Sequence, residues 1–117
     1  MLPDTQKYQS ALEILSIERF RSRTTSTEKV TSVPVTRINL IPNNPNRLHY
    51  LLINEGSFDV RVSNDPNITA STGWMLSASG GIISMDWEQD GETVGQILYA
   101  IAVTGSSDVR SREIIIL

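Results

Sequence analysis

Apolar and polar residues alternate in short runs along most of this chain, and Gly, Pro, Asn and Asp close the runs. Thr36–Ile41 places Ile38 and Leu40 on one face and Arg37, Asn39 and Ile41 on the other, the period of two that marks a strand. Next comes a loop of Pro42, Asn43, Asn44, Pro45 and Asn46; its prolines fix φ and its asparagines tolerate turn conformations. Leu48–Asn54 is almost continuously apolar, as expected of a strand covered on both faces. Glu55 and Gly56 end it. Phe58–Ser63 alternates again, with Phe58, Val60 and Val62 expected inward and Asp59, Arg61 and Ser63 outward.

The second half continues the pattern. Asn64, Asp65, Pro66 and Asn67 form a turn, and Trp74–Leu76 and Ile82–Glu88 read as strands separated by Gly80-Gly81. Asp90-Gly91 is a hairpin signal that favours positive φ at both positions. Gln96–Thr104 is a further apolar strand, and Gly105–Asp108 turns it into a last strand, Val109–Leu117. The expected fold is all-β: one β-sandwich of seven or eight strands over residues 35–117, in a jelly-roll-like or related Greek-key order.

Residues 1–34 are set apart by composition. They hold Lys7, Arg19, Arg21, Arg23 and Lys29, half of the ten basic residues, and they turn Ser/Thr-rich after Ser22. Asp4 or Thr5 is placed to cap a helix over residues 6–21, where Leu12, Ile14, Leu15, Ile17 and Phe20 partly match helical spacing. The alternation of Arg19, Arg21 and Arg23 equally suits a strand with one basic face. From Ser22 to Pro34 no apolar period is present, and the run reads as a linker, an extended arm or a frayed terminus.

Composition narrows the classes of function. With 117 residues and no cysteine, the chain is one domain's length and has no disulfide framework, thiolate metal site or cysteine nucleophile. A net charge of -3 argues against nucleic-acid binding over the whole surface. Apolar runs of four or five residues, such as Ile114–Leu117, are far shorter than the roughly 20 that cross a bilayer. The N-terminus lacks the cationic start and apolar centre of a signal peptide, so synthesis in a cytoplasm is expected.

Candidate chemistry is sparse. Asp86, Glu88, Asp90, Gly91 and Glu92 mimic the first half of a calcium loop, but Ile97 stands where the bidentate Glu is needed. The simpler reading is the solvent face of a hairpin. His49, the one histidine, sits beside apolar residues and reads as structural. Ser77 and Ser79 lack a nucleophile elbow. Trp74, Trp87, Tyr50 and Tyr99 offer rings to a sugar or base, with sheet packing the default, and Asn67-Ile68-Thr69 is a sequon relevant only after secretion. No catalytic residue, metal or cofactor is expected.

Arg37-Ile38-Asn39-Leu40-Ile41-Pro42-Asn43-Asn44-Pro45-Asn46-Arg47, then Leu51–Gly56 and Val60-Arg61-Val62-Ser63, resemble a pattern of small bacteriophage virion proteins. Gly73–Leu76 and Leu98–Gly105 look like two further elements of it. The resemblance covers about residues 36–117. It implies a non-enzymatic virion protein, foremost a capsid decoration or cement protein, often trimeric, whose partners are the major capsid protein or other virion proteins. A neck, tail or fibre-base component is the nearby variant, and a carbohydrate-binding module using Trp74, Trp87 or Tyr99 is the alternative from another class. In the decoration reading the arm supplies the contact: Leu12, Ile14, Leu15, Ile17 and Phe20 anchor it, while Arg19, Arg21 and Arg23 steer.

Overall fold

The computed structural model describes residues 24–116, so the expected helix over 6–21 and all eight arm contact residues, the five anchors and three arginines, lie outside the described residues. Eight strands form two four-stranded antiparallel sheets: β1 (Thr24–Val33), β2 (Ile38–Ile41), β3 (Arg47–Asn54), β4 (Val60–Ser63), β5 (Trp74–Leu76), β6 (Ile82–Asp86), β7 (Leu98–Ala102) and β8 (Ser107–Ile116). One sheet has the order β1-β8-β3-β6 and the other β2-β7-β4-β5. That is the expected jelly roll. Between β6 and β7 lies a single helical turn, α1 (Trp87–Asp90), which runs into a 3₁₀ turn over Gly91–Gly95.

The inner faces follow the alternation. Val60 and Val62 of β4, Leu98, Ala100 and Ala102 of β7, and Tyr50 and Leu52 of β3 are buried between the sheets, with Leu40, Ile41, Leu76 and Val109. Each full burial of such a side chain contributes about 1.5–3 kcal/mol. Two bulges adjust the pattern. One at Leu40 lets Leu40 and Ile41 both face inward. The other falls at Leu48: Arg47 pairs with Ile115 but His49 pairs with Ile114. The extra residue flips the parity, so Arg47 joins Tyr50, Leu52 and Asn54 on the inner face rather than pointing out with His49, Leu51 and Ile53.

Beyond the inward turn of Ile41, the structure departs from the sequence reading at five places. Thr24–Val33, read as part of a linker or arm, is a strand paired along its whole length with β8, from Thr24↔Ile116 to Val33↔Ser107; these residues therefore belong to the sandwich. The outer positions of β3, expected to be covered, are only half-buried at Leu51 and Ile53. Phe58 is 42% exposed, its ring occupying the space that a side chain on Gly105 would take. Trp87 belongs to α1 and not to the strand before it. Asp90-Gly91 is no hairpin: Gly91 has φ 58°, but Asp90 has φ −110°.

That last segment has a local cause. The Asp86 carboxylate accepts a hydrogen bond from the Gln89 N–H at 3.1 Å, and the Asp90 carboxylate accepts one from the Asp86 N–H at 3.0 Å. The two acids cap the first turn reciprocally. Carboxylates that resembled a calcium loop thus start a helix, and among the described residues no group of three metal-ligating side chains is brought together.

Candidate functional site

Arg47 organises one end of the sandwich. Its position at the start of β3, turned inward by the Leu48 bulge, leaves the residue 1% exposed. Nε donates to Glu113 Oε1 at 2.6 Å, Nη1 to the carbonyls of Val94 and Gln96 at 3.1 and 3.2 Å, and Nη2 to the carbonyl of Pro42 at 2.5 Å. Four of the five guanidinium N–H groups are therefore engaged. The cation ties the Pro-Asn loop, the 3₁₀ turn and β8 together. Asn44 completes the junction, donating its N–H to the Gly95 carbonyl at 2.8 Å. A side chain at Gly95 would meet the Asn44 carbonyl oxygen at 2.7 Å, so this close approach requires glycine.

Above this junction lies an open cleft of about 350 Å³, lined by Asn43, Pro45, Arg47, Trp87, Glu92 and Gln96 among others. The Trp87 ring is 42% exposed. Because most of the Arg47 donors already have partners within the fold, the cleft offers amide, carboxylate and ring contacts more than a free charge.

Tyr50 is fully buried and its hydroxyl has no hydrogen-bond partner among the described residues. Burial pushes its pKa up to about 12, against a smaller lowering by Arg47 and a smaller raising by Asp90. A phenol whose pKa is higher in the fold than unfolded gives stability that is complete below pH 10 and lost as pH rises toward 12. Tyr50→Phe should leave stability at pH 7 unchanged or slightly higher, since it deletes an unpaired polar group. It should also remove up to roughly 2–3 kcal/mol of the decline between pH 10 and 12. Denaturant melts across that range check it; an identical decline in both proteins would assign the loss to other groups.

A second polar junction joins the sheets at the opposite end of β3. The Asn54 side chain donates to the carbonyls of Phe58 and Leu76 at 2.8 and 2.9 Å and accepts from the Gly56 N–H and the Ser107 hydroxyl at 3.0 and 2.7 Å. Neither junction was singled out as a site from the sequence. Their only sequence signals are a basic residue closing a Pro-Asn loop and an Asn closing an apolar run.

The other candidate residues are dispersed. Tyr99 lies under Arg37, whose guanidinium carbon is 5.4 Å from the ring centroid. Arg37 also donates to the Pro66 carbonyl. His49 is half-buried on the outer face of β3, opposite Asp86 and Ile114. Trp74 lies opposite the inward-facing Val62, at the seam between the sheets, and is 42% exposed; Met75 beside it is 39% exposed. With Ile82 at 63% and Trp87, they place four large apolar side chains on or beside the neighbouring edge strands β5 and β6.

No family model matches this chain, and no curated protein does. Among solved structures it is similar to a chain from work titled "Bacillus endospore appendages form a novel family of disulfide-linked pili". The identity is 10% and the TM-score 0.47, over 80% of this chain and 87% of that one.

Proposed function

We propose that this protein is a non-enzymatic structural subunit working by protein–protein contact, and specifically a capsid decoration or cement protein of a bacteriophage virion. In this reading it is made in the host cytoplasm, associates with itself as a trimer or similar ring, and docks on the major capsid protein or another virion protein. A place in the neck, tail or fibre base would use the same surfaces.

The observation that supports it is the exposure of Trp74, Met75, Ile82 and Trp87 along one margin of the sandwich. Residues enriched in the cores of protein–protein interfaces include Trp and Met. Light scattering on the purified full chain tests it. The expected mass is a multiple of 13.0 kDa; a strict monomer at high protein concentration would overturn self-association.

The arm is assigned the shell contact, and the position of β1 fixes how that is tested. Deleting residues 1–22 should abolish capsid binding with the sandwich still folded, whereas deleting 1–30 removes most of a paired strand and should unfold it. Full decoration by the shorter deletion would refute the arm's role.

A saccharide-binding role has one observation in its favour, Trp87 beside the cleft. Tyr50 in the core and Tyr99 beneath Arg37 narrow the available platform to the tryptophans. Saccharide titration followed by tryptophan fluorescence decides it.

A further inference from the structure

Among the described residues, each sheet of the sandwich ends in two edge strands paired on one side only, β1 and β6 in one and β2 and β5 in the other. Short links place them in two margins: residues 34–37 join β1 to β2, and residues 77–81 join β5 to β6. Open edges are templates for pairing with another chain. β1 is a ten-residue edge rich in β-branched side chains, including Thr24, Thr25, Thr27, Val30, Thr31 and Val33.

From the topology and charge of these margins we infer that copies of this chain associate head to tail, the β1/β2 margin of one pairing with the β6/β5 margin of the next. The inference rests on the structural reading above and specifies its geometry.

Strand parity is the first support. Both sheets have four strands and every pairing is antiparallel. In such a sheet the first and last strands run in opposite directions. A neighbour in the same orientation therefore brings its β1 antiparallel to β6 and its β2 antiparallel to β5. Both sheets continue at once, with inner faces remaining inner.

Charge is the second support. Residues 74–95 contain Asp86, Glu88, Asp90 and Glu92 and no Lys or Arg. Residues 24–41 contain Lys29 and Arg37 against Glu28, while the adjacent β8 is neutral overall, its Arg110 and Arg112 balanced by Asp108 and Glu113. A weakly basic margin thus meets an acidic one in a head-to-tail contact. A two-fold pairing of β1 with itself centred on its middle sets Glu28 against Glu28 or Lys29 against Lys29, which is unfavourable. Apolar side chains complete both margins, with Val30 47% and Val35 52% exposed on one and Trp74 and Ile82 on the other. Such heterologous contacts close into rings or extend as filaments.

A mixing experiment on the full chain tests the geometry. Trp74→Lys/Ile82→Lys blocks one margin and Val30→Lys/Val35→Lys blocks the other; all four side chains are at least 42% exposed, so the fold is expected to tolerate them, as circular dichroism will show. Each variant alone should be a monomer. Mixed, they retain one intact contact between them and should form a 1:1 heterodimer of about twice the 13.0 kDa chain mass. If either variant forms a homodimer, the contact is two-fold and not head to tail. If both keep the wild-type mass, association uses another surface: the inference falls and the structural role stands. A monomeric wild-type chain overturns both. Protection in the assembled protein of those β1 amides that point away from β8, every second residue, and its loss in the variants is the second expected result and survives partial destabilisation of either variant.

Discussion

Replacing Arg47 by Met should lower the stability of the sandwich by about 3–5 kcal/mol, the usual cost of removing one partner of a buried ion pair. Methionine fills similar space, so the loss reports the polar groups left behind. Glu113, whose side chain is only 13% exposed, loses its cation at 2.6 Å. The carbonyls of Pro42, Val94 and Gln96 lose their donor. Denaturant unfolding should show a lower midpoint with an unchanged slope. Adding Glu113→Leu should recover part of the loss, because the stranded carboxylate is then gone. A cost below about 1 kcal/mol for Arg47→Met would show that the guanidinium does not organise this end of the fold.

Asn54→Asp is expected to cost about 3 kcal/mol or more at pH 7, although the two side chains have nearly the same shape. A carboxylate can accept from the Gly56 N–H and the Ser107 hydroxyl as the amide does. It cannot donate to the Phe58 and Leu76 carbonyls, and it places negative charge against both oxygens. Burial and those carbonyls favour the protonated acid, raising the pKa of the new carboxyl in the fold above its unfolded value. The deficit should therefore shrink as pH falls, and unfolding at pH 4 and pH 7 measures the difference. Equal destabilisation at both values would assign the cost to altered packing.

The alternation of β4 was legible because it buries one face, Val60 and Val62, against the opposite sheet; in β2 the bulge at Leu40 turned Ile41 inward beside Leu40, against the alternation. β1 was not legible, for a physical reason. It lies at an edge with Ser26–Val30 exposed on both faces, so no hydrophobic period is selected, and only its β-branched composition signals a strand. Trp87 was misplaced because a one-turn helix is too short to show a 3.6-residue period; its cause is the carboxylate cap of Asp86. Inward Arg47 was invisible because a bulge at Leu48 reverses the parity on which any inside–outside assignment depends. Arm residues Leu12, Ile14, Leu15, Ile17, Arg19, Phe20, Arg21 and Arg23 fall before the first described residue, and their role rests on the proposal alone.

The pairing of β1 with β8 also sets how the sandwich bears mechanical load. Thr24 is opposite Ile116, so the chain enters β1 and leaves β8 at the same end of one antiparallel ribbon. Tension applied through those two ends meets the ladder one rung at a time and peels it, the geometry of least mechanical resistance. Tension applied along the strands between opposite ends of the sandwich loads many rungs together in shear. A protein held at its outer strands by neighbours would thus resist stretching along the strands far better than a pull at its own two ends.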